Sequence, residues 1–207
     1  MGLVNGSLQP HRALICVDTM AARADEPNAP HYEGSTLVTL PHAGIVFAVR
    51  GVTTALDLGR SAANSPLGSF DEIAETVPKA LRLLPKAVRK IRPWPWPKVQ
   101  LGRQEVAMVG YYDQEQRVRC VHFTTEDCKE FNRYELEAED SMTSPWDQRW
   151  GEPLCVDTVE AMRRASIAQI VRARDLYPKA PVGGRLLLVE LSKGRMTQTV
   201  LHTGVKA

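Results

Sequence analysis

The sequence predicts an α+β fold in four layers, with two mainly antiparallel sheets face to face and helices over each outer face (αββα). Three observations carry this. Short β-rich runs occur in groups, long helical patterns separate the groups, and the order along the chain is strands, two helices, strands, helix, strands. Each sheet has an apolar face that must find a partner layer, and this order supplies layers on both sides. A chain of 207 residues can enclose one substantial core, so one domain spanning residues 1–207 is expected.

The first group holds a weak strand at residues 3–8, a strong one at 13–17, and two more at 36–40 and 45–49. Gln9-Pro10-His11, the loop at 25–30 and Pro41-His42-Ala43-Gly44 supply the turns. Helical segments follow at 53–63 and 70–89, divided by the breaker Asn64-Ser65-Pro66-Leu67-Gly68. Ser69, with Glu72 three residues on, makes a capping box for the second helix. Ile73, Val77, Leu81, Leu84 and Val88 recur at helical spacing along its buried face. Pro78 and Pro85 fall inside that pattern, where each removes a backbone donor and kinks or interrupts the helix.

Arg92-Pro93-Trp94-Pro95-Trp96-Pro97 reads as a stiff, polyproline-like connection. Strands at 105–111 and 117–124 come next, joined by Asp113-Gln114-Glu115-Gln116. Residues 125–151 are polar and give no clear element. Asp157 and Glu160 are placed to cap a long helix ending near residue 177, after which strands at 185–191 and 196–202 form a hairpin around Ser192-Lys193-Gly194-Arg195.

Hydrophobic residues make up 43% of the chain and charged residues 24%, which excludes a disordered or fibrous protein. A formal net charge of +2 is too slight for nucleic acid to be expected as the main partner. No apolar run approaches the roughly 18 residues of a membrane helix, and the first residues have neither a basic nor an apolar signal region. A cytoplasmic location, or one within a phage or virion-like particle, is expected, with no membrane partner. Gly2 does not open a myristoylation motif, because position 6 is Gly6.

Cys16, Cys120, Cys128 and Cys155 read as reduced thiols, three of them among apolar or β-branched neighbours. Cys120, His122 and Cys128 lack the paired spacing that presents two ligands together, so neither a metal nor a cofactor is expected. His11, His31, His42, His122 and His202 show no metal or triad spacing, and no Gly-x-Ser-x-Gly elbow or phosphate-binding loop occurs. Lys79, Arg82, Lys86, Arg89 and Lys90, followed by Trp94 and Trp96, could grip phosphates and stack bases. Cations toward a helix C-terminus also complement its dipole, with Asp71, Glu72 and Glu75 matching at the other end. The basic 79–92 helix is therefore read first as a solvated or subunit-facing surface, and second as a binding module. The tryptophans, Trp146 and Trp150 included, are candidate contact anchors.

Three fragments carry a family likeness: Arg12-Ala13-Leu14-Ile15-Cys16-Val17-Asp18-Thr19; Ser35-Thr36-Leu37-Val38-Thr39-Leu40 followed by the run from Gly44 to Gly51; and Val182-Gly183-Gly184-Arg185 leading into an apolar strand. In order and spacing they resemble the proteasome β-subunit branch of the N-terminal-nucleophile hydrolases, including bacterial proteasome-like peptidases. That resemblance implies an N-terminal Thr, Ser or Cys as nucleophile, its own α-amine as base, and a nearby Lys that lowers the nucleophile's pKa. It aligns Asp18 with the active-site aspartate, places the nucleophile at about Gly2, and places the lysine near Ser35 or Thr36. Gly2 has no side chain to attack with, and the first lysine of the chain is Lys79.

The supporting positions depart together from the family pattern. Asp175 follows Arg174 as a family Asp does, but extra residues separate it from Gly183-Gly184. Val182 stands where a Ser is expected, and Ser141-Met142-Thr143-Ser144 lies near the place of a Ser-Gly-Ser-like turn without its glycine. Gly2, Asp18, Thr36 and Asp175 are thus candidates for a remnant pocket. Asp18 also has a plainer reading, as the cap of a turn at a strand end. Ser7 is the candidate for a displaced nucleophile, being the only Ser, Thr or Cys ahead of Cys16. Cutting before Cys16 would delete a core strand. The expected function is a non-catalytic proteasome-like subunit with a structural or assembly role, whose partners are copies of itself in a homo-oligomeric ring or a larger particle. The alternatives are an active N-terminal-nucleophile peptidase or amidohydrolase using Ser7, and a binding module.

Overall fold

A computed structural model of the chain describes residues 2–21, 32–51, 69–86, 103–112, 115–144, 156–179 and 181–202. The expected helix at 53–63, the Pro-Trp connection, Cys155 and all four tryptophans lie outside these residues.

Alternating apolar runs build two sheets. The first contains β1 (Val4–Gln9), β2 (Arg12–Asp18), β10 (Ser141–Ser144), β11 (Arg185–Ser192) and β12 (Arg195–His202), in the order β10-β1-β2-β11-β12. The second contains β5 (Leu37–Leu40), β6 (Ile45–Arg50), β7 (Gln104–Tyr112), β8 (Arg117–Thr125) and β9 (Asn132–Leu136), in chain order. Every neighbouring pair in both is antiparallel. A short ribbon of β3 (Met20–Ala21) and β4 (Tyr32–Glu33) extends beyond β2. Helix α1 (Phe70–Leu81) covers the second sheet and α2 (Val159–Leu176) covers the first.

Three apolar cores separate these layers. Ile73, Val77 and Leu81 of α1 pack on Phe47, Met108 and Phe123. Between the sheets, Ile15, Val17 and Val189 meet Val46, Ala107 and Val109. Met162, Ile170 and Ala173 of α2 pack on Leu14, Cys16 and Leu186. This is the αββα sandwich that the element order predicts. Cys120 belongs to the inter-sheet core and Cys128 to the α1 core, so the second sheet separates the two thiols.

Asn5 fixes α2 over the first sheet, donating from Nδ2 to Ser166 Oγ and Gln169 Oε1, each at 2.9 Å. The capping box of α1 forms as expected: Glu72 N–H donates to Ser69 Oγ at 3.2 Å and Ser69 N–H to Glu72 Oε2 at 3.1 Å. Gly110 faces that helix, and a Cβ there would lie 2.6 Å from the Phe70 ring. Gly110→Ala should therefore lower stability by about 1–3 kcal/mol in urea denaturation, through overpacking.

The interruption expected within the 70–89 segment occurs, and two other local expectations are corrected. The helix at 70–89 is broken: α1 ends at Leu81, Arg82 and Leu83 turn, and helical backbone resumes at Leu84. Pro78 is tolerated inside α1, but the Pro85 ring would meet the Leu81 carbonyl of a continuous helix. The second long helix is capped by Thr158, whose Oγ1 accepts from Ala161 N–H at 3.1 Å, rather than by Asp157. The polar stretch 125–151 contributes two strands, β9 and β10, so Ser141–Ser144 is an edge strand paired with β1 and not a turn.

Among the described residues no helix is long and apolar enough to cross a membrane.

Candidate functional site

The β1–β2 register pairs Val4 with Val17, which carries Gly2 and Leu3 alongside Asp18 at the end of β2. Leu3 N–H donates to Asp18 Oδ1 at 2.6 Å, and Gly183 N–H donates to Asp18 Oδ2 at 2.7 Å. Both carboxyl oxygens are thus engaged by backbone. Asp18 is fully buried, and among the described residues no Lys, Arg or His side chain pairs with it. Burial pushes its carboxyl up to about 7, with the hydrogen bonds from Gly183 and Leu3 working in the opposite direction.

The other side of the chain start is held from the second sheet. Arg50, the last residue of β6, donates from Nε to the Gly2 carbonyl at 3.2 Å. Its Nη1 donates to Glu105 Oε1 at 2.6 Å and to Ser144 Oγ at 3.2 Å, and the Ser144 hydroxyl donates to Glu105 Oε2. Arg103 Nε lies 2.7 Å from Glu105 Oε1, and His122 Nε2 lies 3.7 Å from Oε2. Register explains the convergence, because Arg50, Glu105 and Thr124 share one rung of β6, β7 and β8 and His122 lies two residues along the same face. Burial alone would raise the Glu105 carboxyl; His122, Ser144, Arg50 and Arg103 outweigh it and hold it down at about 2.

The Gly2–Leu3 peptide is therefore clamped across the two sheets, its carbonyl by Arg50 and its N–H by Asp18. What this arrangement does chemically is fix the chain start. A Cβ at residue 2 has room, since an ideal one on Gly2 meets only Asp18 Oδ1, at an ordinary 3.4 Å. Gly2→Ala should fold with stability within about 1 kcal/mol of wild type in thermal denaturation, because neither left-handed backbone nor a clash at Cβ opposes it.

The remaining candidates do not converge with Gly2 and Asp18. The Thr36 hydroxyl is buried and has no hydrogen-bond partner among the described residues. Asp175 lies exposed near the end of α2; its neighbour Arg174 reaches the Gly183 loop instead, donating from Nε to the Val182 carbonyl at 3.0 Å. Ser7 is buried within β1, opposite Leu14 of β2 and Ser141 of β10, about 13 Å along the strand from the level of Asp18. Lys79, Arg82 and Lys86 are exposed, with the Arg82 guanidinium 5.2 Å from the Phe131 ring centre. Among the described residues no three His, Cys, Asp or Glu side chains are grouped as metal ligands. Sequence reasoning missed the Arg50–Glu105 pair, although a charged residue beside the apolar run of β6 and another at the head of β7 were the signals available.

Two antiparallel sheets between helix layers give the chain the four-layer αββα fold of the proteasome-like, N-terminal-nucleophile type. Among solved structures it is similar to Anbu from Hyphomicrobium sp. strain MC1, with a TM-score of 0.63 and 10% sequence identity over 99% of this chain and 89% of that one. At that identity the likeness is one of fold. No protein-family model matches the chain, and no curated protein matches its sequence.

Proposed function

We propose that this chain is a non-catalytic proteasome-like subunit, a single domain whose work is assembly into a homo-oligomeric ring or a larger particle. The observation that carries the reading is the clamp at the chain start. Asp18, which the resemblance aligns with a catalytic aspartate, has both oxygens engaged by the backbone of Leu3 and Gly183. Residue 2 brings no nucleophile beside it, and no lysine precedes Lys79. Thr36, near the position of the activating lysine, carries no charge, and its hydroxyl has no hydrogen-bond partner among the described residues. A displaced nucleophile at Ser7 would require loss of the clamp and of the β1 residues that pair with Cys16, Val17 and Ser144. Hydrolysis tolerates little misplacement of its reacting groups.

Two measurements on the purified protein test this. Intact mass should place residues 2–7 on the mature chain, and an electrophilic active-site probe should leave that mass unchanged. Native mass should give a multimer of the chain. A mature N-terminus at Ser7 that takes up the probe would replace this reading with the peptidase, and a strict monomer at tens of micromolar would remove the assembly role.

A further inference from the structure

Among the described residues the two sheets end in four edge strands, and three of them are guarded. β5 and β10 have four residues each, and β9 has five with Arg133 and Glu135 on its outer face. Short or charged edges resist pairing with another chain. β12 differs: it runs for eight residues, Arg195–His202, with no proline and no charged residue between Arg195 and His202. Its Thr197, Gln198, Thr199 and Val200 are all exposed, Val200 at 46%, and no strand among the described residues pairs with its outer side. The β11–β12 register places Met196, Gln198 and Val200 opposite Leu191, Val189 and Leu187, all members of the inter-sheet core. On this face β12 carries Met196, packed against the inter-sheet core, and Val200, which the core leaves exposed, on either side of Gln198.

We propose that β12 pairs antiparallel with β12 of a second copy about a two-fold axis at Gln198, joining the first sheets of two subunits into one. The occupant is another copy because the strand is complementary to itself in this register. A two-fold perpendicular to the sheet keeps inner residues on the inner side, so Gln198 opposes Gln198, Met196 opposes Val200 twice, Thr197 opposes Thr199 twice, and Arg195 opposes Leu201 twice. No like charges meet. Apolar and threonine pairs of this kind are the favourable cross-strand combinations, and centring on Gln198 uses all seven residues from Arg195 to Leu201. This contact rests on the homo-oligomer proposed above and specifies its geometry.

Directly opposed residues of antiparallel strands have Cα atoms about 4.5–5.5 Å apart, within the span of a disulfide. In a Cys155→Ser background, which leaves Cys16, Cys120 and Cys128 buried, Gln198→Cys should form a covalent dimer under mild oxidation. Thr197→Cys, whose opposite number is Thr199, should not. The exposed double variant Gln198→Lys/Val200→Lys should keep its circular dichroism and weaken association at least about tenfold in sedimentation velocity, since it opposes two lysines and removes both apolar pairs. A wild-type oligomer with no cross-link at residue 198, equal cross-linking at 197 and 198, or unchanged association of the lysine variant would overturn this contact and leave the assembly reading standing. A wild-type monomer would overturn both.

Discussion

Raising the pH from 5 to 8 should cost the protein about 3 kcal/mol of stability through Asp18 alone. An ordinary aspartate titrates near 3.8 and Asp18 near 7, so between those values the folded state holds a proton that the unfolded chain has released. The stabilising contribution is thus fully present below the unfolded value and is lost as pH rises through the folded one. At roughly 1.4 kcal/mol for each pH unit of the interval, the whole effect is about 4 kcal/mol, most of it above pH 5. Asp18→Asn keeps the size of the side chain and removes the titration. Its amide also offers one acceptor to the two N–H groups of Leu3 and Gly183, so it is less stable than wild type at pH 5. Urea denaturation at pH 5, 6, 7 and 8 should show the difference between wild type and Asp18→Asn shrinking by about 3 kcal/mol across the series. Parallel profiles would mean that Asp18 is already ionised at pH 5.

Glu105→Ala should lower stability by about 3–5 kcal/mol at neutral pH, the cost of leaving a largely buried cation without its counter-charge. The Arg50 side chain is only 14% exposed and pairs with a Glu105 side chain that is 4% exposed. Arg50→Met/Glu105→Leu should recover only part of that loss: exchanging a buried ion pair for apolar groups is close to neutral, but the double variant also takes these partners from the Gly2 carbonyl and the Ser144 hydroxyl. Glu105 also has the opposite pH sign to Asp18. Its folded-state carboxyl titrates near 2 rather than 4.5, so its contribution is present above pH 4.5 and lost as the pH falls toward 2. Together the two carboxyls confine greatest stability to mildly acidic pH. Urea midpoints of the single and double variants at pH 7, and of wild type against Glu105→Gln between pH 2 and 5, check both parts.

How much of this was legible in the sequence depended on how each segment buries its side chains. β2, β6, β7 and β11 have one or both faces in a core, and their apolar runs placed them within a residue or two. β9 was invisible because it is a nearly fully exposed edge strand, Asn-Arg-Tyr-Glu-Leu, in which only Leu136 reaches the inter-sheet core. β10 is four residues long with a single apolar side chain, Met142, and its strand character comes from β1 rather than from its own composition. The Gly2–Asp18 pairing followed from the resemblance. The other half of the clamp did not, since Arg50 lies 48 residues from Gly2, 55 from Glu105 and 94 from Ser144, and only the sheet registers bring them together.

The bond from Gly183 to Asp18 joins residues 165 positions apart, and it has a consequence for how the protein is made. The second sheet comes from one stretch between Leu37 and Leu136, so all its strands have been synthesised well before translation ends. β2, in the middle of the first sheet, must wait for β11. During that interval its apolar residues Ala13, Leu14, Ile15 and Val17 lack one of their two neighbouring strands, and long-range pairing of this kind is slow and exposed to aggregation. A nascent chain stalled before residue 185 therefore presents a completed second sheet beside an open first one, the state in which this protein is most open to capture by a chaperone.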